Sequence, residues 1–174
     1  EKQQTSIDEF VALQPVQGFL LADQHSRPVN LDRYLHRHTV VLVFFDGTTA
    51  PDDVPELQVI RQYYPALQSE GIEVFAVTNQ LPQQIRKGSA QEYPFRILSD
   101  VLAGQAGSPM TQWGVVQEVR GGVQPGIAAA SSRLSAVPTR VFVISRAGLV
   151  PFRDGRPVPL RDTTELVKQL LSAV

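Results

Sequence analysis

The densest run of apolar positions is Thr39–Phe45 (TVVLVFF). A stretch that is β-branched or aromatic on both alternating faces predicts a central strand covered on each side. Ile72–Thr78 (IEVFAVT) repeats the pattern and predicts a second buried strand. Between them, Leu57, Ile60, Tyr64 and Leu67 recur at spacings of three and four, which is one face of a helix. Pro65 is expected to kink or break that helix, and Gly71 to end it. Pro82–Lys87 predicts a short helix opened by proline, and Tyr93–Leu98 leads into Leu98-Ser99-Asp100. Trp113-Gly114-Val115 is expected to enter a further strand. Thr139–Ser145 (TRVFVIS), the turn Arg146-Ala147-Gly148 and Leu149–Phe152 predict a β-hairpin.

The ends are more punctuated. Ser6 and Glu9 form a capping box ahead of Phe10, Val11 and Leu13, predicting a short N-terminal helix. Gly18–Ala22 reads as a strand, Asp23–Pro28 as a turn, and Asn30 or Asp32 as the start of a helical turn through Leu35. A closing helix starts on the box Asp162/Glu165 and places Leu166, Leu170 and Val174 on one face. Strands alternating with helices, then a hairpin and a final helix, predict an α/β fold with a central mixed β-sheet flanked by helices. The organisation is a helical extension over residues 1–16 and one domain over residues 17–174. Gly121–Ser135, rich in small residues, is either a surface loop or a segment that docks a partner.

Composition narrows the function. At 174 residues the chain is long enough to bury a real core in one domain. A net charge of -1, with both signs scattered, gives no basic face for nucleic acid or anionic membrane. No apolar run approaches the length of a membrane-spanning helix. The chain starts at Glu1 without methionine, so an upstream segment removed from it is an expectation; the cytoplasm is the favoured compartment. There is no cysteine, which excludes disulfides, thiolate metal sites and any thiol mechanism of this chain's own.

In order along the chain, several motifs resemble those of the peroxiredoxin branch of the thioredoxin superfamily, the alkyl hydroperoxide reductase and thiol-specific antioxidant type. Asp23 through Tyr34 resembles the family's D-x-x-G-x-x-V-x-L-x-x-Y, with Arg27 where glycine is usual. Thr39–Phe45 resembles its V-V-L-x-F-F strand, and Glu56-Leu57 the E-L that opens its first long helix. Leu98-Ser99-Asp100, Trp113-Gly114-Val115, and Phe142-Val143-Ile144 with Gly148 resemble its L-S-D, Y-G-V and F-x-I-D-x-x-G. The resemblance covers about Gly18 to Phe152 and implies a thioredoxin-like fold.

The same resemblance implies an active loop reading P-x-x-x-T-x-x-C, three residues ahead of that glutamate. Here the proline position holds Asp46, the threonine position Ala50 and the cysteine position Asp53. Pro51 stands beside the vacant threonine position. The family's arginine falls on Thr139, with Arg140 adjacent. A peroxidatic thiolate attacks the peroxide O–O bond and becomes a sulfenic acid. A carboxylate at position 53 is ionised at neutral pH but has no oxidisable centre, so the family's usual reaction is not expected.

Other constellations have a plain structural reading. Asp53 as N-cap with Glu56 at N3 makes a capping box that satisfies orphan amides. Alternatively, Asp46, Asp52, Asp53 and Glu56 form a cation site, since hard cations prefer clustered oxygens. The spacing is not that of an EF-hand. His36 and His38 flank Arg37 and read as a solvated turn, as does His25. Thr48 and Thr49 have no base to activate them, and Trp113 reads as a packing aromatic. Gly104–Gly107 and Gly121-Gly122 lack the pattern of a phosphate loop, so no cofactor is implied. The leading expectation is a non-catalytic, protein-binding or scaffold module, working with a protein partner or as a homodimer. Its docking surfaces are Asp46–Asp53 and Gly121–Ser135. The alternatives are an oxidoreductase acting through a partner or bound cofactor, and a small-ligand or cation binder using the acidic loop.

Overall fold

A computed structural model describes residues 12–116, 139–160 and 166–172. Six strands form the main sheet: β2 (Leu20–Ala22), β3 (Pro28–Asn30), β4 (Thr39–Phe45), β5 (Ile72–Thr78), β6 (Arg96–Ser99) and β7 (Arg140–Ile144), in the order β3-β2-β6-β5-β4-β7. β4, β5 and β6 are parallel, whereas β7, β2 and β3 pair antiparallel to their neighbours. The sheet is therefore mixed, as the alternation of elements predicts.

Every residue of β4 is buried, which is why its sequence shows no polar alternation. Val41, Val43 and Phe45 join Val74, Ala76, Ile97 and Val141 beneath helix α1 (Pro55–Ser69). That helix contributes Leu57, Ile60, Tyr64 and Leu67, the four residues of its apolar stripe. Leu166 and Leu170 of the closing helix, α4 (Leu166–Ser172), enter the same layer. The alternate residues Val40, Leu42 and Phe44 face the other way, onto Phe75, Val77, Phe142, Met110 and Trp113. One strand thus serves two cores by its period of two.

Several expectations change. α1 runs unbroken through Pro65, which lies on its exposed face. The carbonyl freed by the missing N–H can there be met by water, so the helix survives its proline. Trp113 does not enter a strand: it is the C-cap of the short helix α3 (Pro109–Gln112), and Gly114 follows in the left-handed region at φ +73°, which no strand uses. Residues 113–116 continue as turns. The turn Ser145–Gly148 forms, with Gly148 N–H donating to Ser145 O at 2.8 Å. Beyond it, β8 (Leu149–Arg153) leaves β7 and pairs with β1 (Ala12–Pro15) and β9 (Arg156–Pro157) in a second, three-stranded sheet. Pro151 has no N–H to give a ladder, and Leu160 rather than β8 donates to Val141 O. Ala12–Pro15, at the end of the segment expected to be helical, is therefore a strand. Ser6, Glu9, Asp162, Glu165, Val174 and Gly121–Ser135 lie outside the described residues.

Gly148 sits at φ 77, and a Cβ there would lie 2.8 Å from His36 Cε1. Gly148→Ala is expected to cost about 1–2 kcal/mol from the left-handed backbone alone, and Gly148→Asn less, because asparagine tolerates that region. Denaturant midpoints of the two variants check the order.

Candidate functional site

The registers of the parallel strands align Phe45 with Thr78 and Thr78 with Ser99. The segments that leave β4, β5 and β6 at their carboxyl ends therefore share one rim. In open α/β sheets this is where ligands are bound.

The loop after β4 is built on Asp46, which is buried. Its Oδ1 accepts the Thr48 N–H at 2.9 Å and its carbonyl the Thr49 N–H at 3.0 Å, a tight Asx-type turn. Gly47 lies under the Asn79 side chain: a Cβ there would meet Asn79 Oδ1 at 1.8 Å and would have to displace it. Gln80, just beyond β5, donates its Nε2 to Gly47 O at 2.7 Å and Thr49 O at 3.1 Å. Ser99 Oγ in turn donates to Gln80 O, joining all three strand ends.

Pro51–Asp53 is a single 3-10 turn, and Val54, not Asp53, is the N-cap of α1. The capping box expected from Asp53 and Glu56 does not form, because Pro55 takes the first helical position. Proline favours that position and drives the residue before it extended, here φ -96 and ψ 109 for Val54. The start of the helix moves one residue on. Asp53 is left exposed outside it, and Glu56 lies half-buried in the first turn.

Asp52 is tied to a distant segment. Its Oδ1 accepts the Tyr93 hydroxyl and its Oδ2 the Ala90 N–H, each at 2.7 Å. Arg61 Nη1 stands 3.9 Å from Oδ1, with its guanidinium 4.6 Å from the centre of the Tyr93 ring. Gln58 Nε2 donates to Tyr93 Oη at 2.8 Å and to Pro51 O at 3.1 Å. Burial alone would raise the Asp52 pKa, but the bonds from Tyr93 and Ala90, with the charge of Arg61, together hold it below its ordinary value. Tyr93 is pushed up to about 12, by burial first and then by the bond to Asp52.

A depressed carboxyl contributes stability above its unfolded pKa, about 3.9, that is lost as pH falls through the folded value. Asp52→Asn is expected to cost about 1–2 kcal/mol at neutral pH, because an amide keeps one acceptor oxygen for the two donors, Ala90 N–H and the Tyr93 hydroxyl, and loses the charge that Arg61 faces. The cost should shrink at acid pH, as Asp52 takes up a proton on the way through its folded value. Urea unfolding at the two pH values checks this, and an unchanged penalty would contradict the clamp.

The remaining candidates disperse. Ala50 supplies no hydroxyl, and Arg140 is exposed on β7 opposite Phe44. Thr48 is exposed in the Asx turn, and Thr49 half-buried beside it. His25 pairs with Glu92, His36 packs on Gly148, and the His38 ring lies 6.1 Å from that of Tyr34. Among the described residues no three histidine or carboxylate side chains stand close enough to hold a metal ion, so Asp46, Asp52, Asp53 and Glu56 do not converge. No helix among these residues is long and apolar enough to cross a membrane. Trp113 packs edge-on to Phe142 at 4.9 Å, in the core.

The roles of two residues near this rim are not visible as such in the sequence. Tyr93 lies 41 residues from Asp52, beyond any local spacing rule. Asp100 belongs to the L-S-D motif, but its role is structural: it is buried and accepts Met110 N–H at 2.8 Å. Burial raises its pKa despite the opposing bonds from Met110, Ser108 and Leu102.

A model of the AhpC/TSA family matches residues 12–152. No curated protein matches the chain. Among solved structures, peroxidoxin BcpB from Mycobacterium tuberculosis superposes with a TM-score of 0.65 at 18% identity, over 95% of this chain and 96% of that one. Peroxiredoxin Q from Xanthomonas campestris gives 0.61 at 15% identity, over 89% and 88% of the two chains. BsSco, a member of the Sco family of cytochrome c oxidase assembly proteins, gives 0.54 at 13% identity, over 94% and 95%. At such identities the likeness is one of fold, and that fold is the thioredoxin-like one.

Proposed function

Because the chain belongs to the AhpC/TSA family and contains no cysteine, we propose that it is a non-catalytic member of the family that works as a protein-binding module. The docking surface is the rim carrying the former active loop, Asp46–Asp53.

One observation carries this reading. Leu81, Val101 and Leu102 are 43%, 45% and 48% exposed, and they follow the carboxyl ends of β5 and β6, on the same rim as the loop. Single exposed apolar side chains are ordinary, but three gathered at one end of a sheet suit the centre of an interface. Exposed Asp53 and half-buried Asp52 supply a polar margin of the kind that surrounds such a centre. Gly121–Ser135 is a second docking candidate, and lies outside the described residues.

The test is co-purification of the tagged chain from its native cell, beside Leu81→Asp and Leu102→Asp variants whose unfolding midpoints match the parent. The expected result is a partner in stoichiometric amount, or a second copy of the chain, lost in both variants. A partner retained by both would move docking away from this rim. Recovery of the chain alone and monomeric, after cross-linking, would sink the module reading.

A further inference from the structure

Behind the loop, a half-open surface cavity of about 220 Å³ lies between Gln24 and the segment Ser89–Tyr93, with Arg86 in its wall. Pockets for drug-sized ligands run from about 300 to 1,000 Å³, so this volume suits a smaller molecule. Two of the lining residues carry opposite charge, Arg86 and Glu92. Each is anchored by another group. Arg86 Nη1 donates to Gln24 O at 2.7 Å, leaving most of the guanidinium donors unused by that bond. Gln24 is buried and fixed in turn, its Oε1 accepting Ile97 N–H at 3.0 Å. Glu92 pairs through Oε1 with His25 Nε2. No ion pair joins Arg86 to Glu92 among the described residues, so the two do not neutralise each other.

A cation and an anion held apart at one small cavity complement a molecule that carries both charges. We propose that this cavity binds a small zwitterion, with a carboxylate for Arg86 and a protonated amine for Glu92. Free amino acids are the simplest members of that class. A guanidinium favours carboxylates through its planar fork of donors. The site goes beyond the docking reading and stands without it, but the two adjoin. Ala90 and Tyr93, which line the cavity, are the residues that grip Asp52 in the loop.

The probes are glycine, β-alanine and 4-aminobutyrate, which separate the charges by increasing amounts, with acetate and methylammonium as single-charge controls. Binding is followed on the full chain by thermal shift and by amide chemical shifts of residues 86–93. The expected result is saturable binding of at least one zwitterion, about tenfold or more tighter than either control. Arg86→Met and Glu92→Gln should each weaken it about tenfold. The Glu92 side chain is 67% exposed, so its variant keeps the fold even if loss of the Gln24 contact harms Arg86→Met. The proposal is overturned if no probe saturates below about 10 mM, which is weaker than most specific small-ligand sites. It is equally overturned if acetate binds as tightly as the zwitterions, or if Glu92→Gln leaves the affinity unchanged.

Discussion

Replacing Phe142 by alanine is expected to remove about 3–5 kcal/mol of folding stability, the usual cost of a buried phenylalanine. Phe142 lies in β7 opposite Leu42 and is 1% exposed. Its ring meets Phe44 edge-on at 5.5 Å and Trp113 edge-on at 4.9 Å, so it joins the central strand to the end of α3. Truncation would leave a cavity between three strands and a helix end, none of which can close without disturbing the sheet register. Edge-to-face pairs add about 0.5–1.5 kcal/mol beyond area burial. Domains of this kind have only about 5–15 kcal/mol to lose, so the midpoint of guanidinium unfolding should fall far. Phe142→Leu should recover a large part of the loss by refilling volume. A cost under about 1 kcal/mol for the alanine variant would mean that this layer is not packed as described.

What the sequence shows of this protein follows the range of the forces involved. Strands β4 and β5 and helix α2 (Pro82–Lys87) have the limits that their apolar runs and opening proline predict, because those signals lie within each element. The apolar stripe of α1 is equally plain, and its four residues are the buried ones. Errors arise where two local signals compete. Asp53 and Glu56 have the spacing of a capping box, but Pro55 between them fixes the helix start by sterics. Pro65 carries a breaker's signal, yet its place on the exposed face makes the lost hydrogen bond tolerable. The departure of β8 from β7 depends on a partner, β1, that lies more than a hundred residues earlier and pairs Leu13 with Pro151. Of the site, the vacancy at the cysteine position can be read by counting back from Glu56. The grip of Tyr93 and Ala90 on Asp52 cannot, because it exists only once the sheet brings α2 and the segment after it against the loop.

Asp53→Cys is expected to turn a chain without a thiol into one that consumes about one equivalent of hydrogen peroxide at the rate of an ordinary thiol. In that step the thiolate attacks one peroxide oxygen and the O–O bond breaks. The sulfur leaves as a sulfenic acid and the other oxygen as hydroxide, which takes up a proton. The rate depends on the thiolate fraction, a few per cent for a free cysteine at neutral pH. A helix N-terminus raises that fraction by offering unpaired N–H groups. Here Pro55 has none, and the N–H groups of Leu57 and Gln58 already donate to Val54 O. Asp52 and Glu56 place negative charge close by in sequence, which disfavours a second anion. No hydroxyl stands at position 50 to hold the peroxide. The expected rate is therefore within about tenfold of free cysteine at the same pH, followed in a stopped-flow competition assay, and adding Ala50→Thr should change it little. A rate more than about a hundredfold above free cysteine would carry the opposite meaning. The loop would then retain peroxide-activating geometry, and the loss of the family's chemistry would rest on one side chain alone. Stoichiometric, unaccelerated oxidation would instead place the loss in the whole loop, where Pro55 and the Asx turn of Asp46 have set a backbone suited to holding a shape.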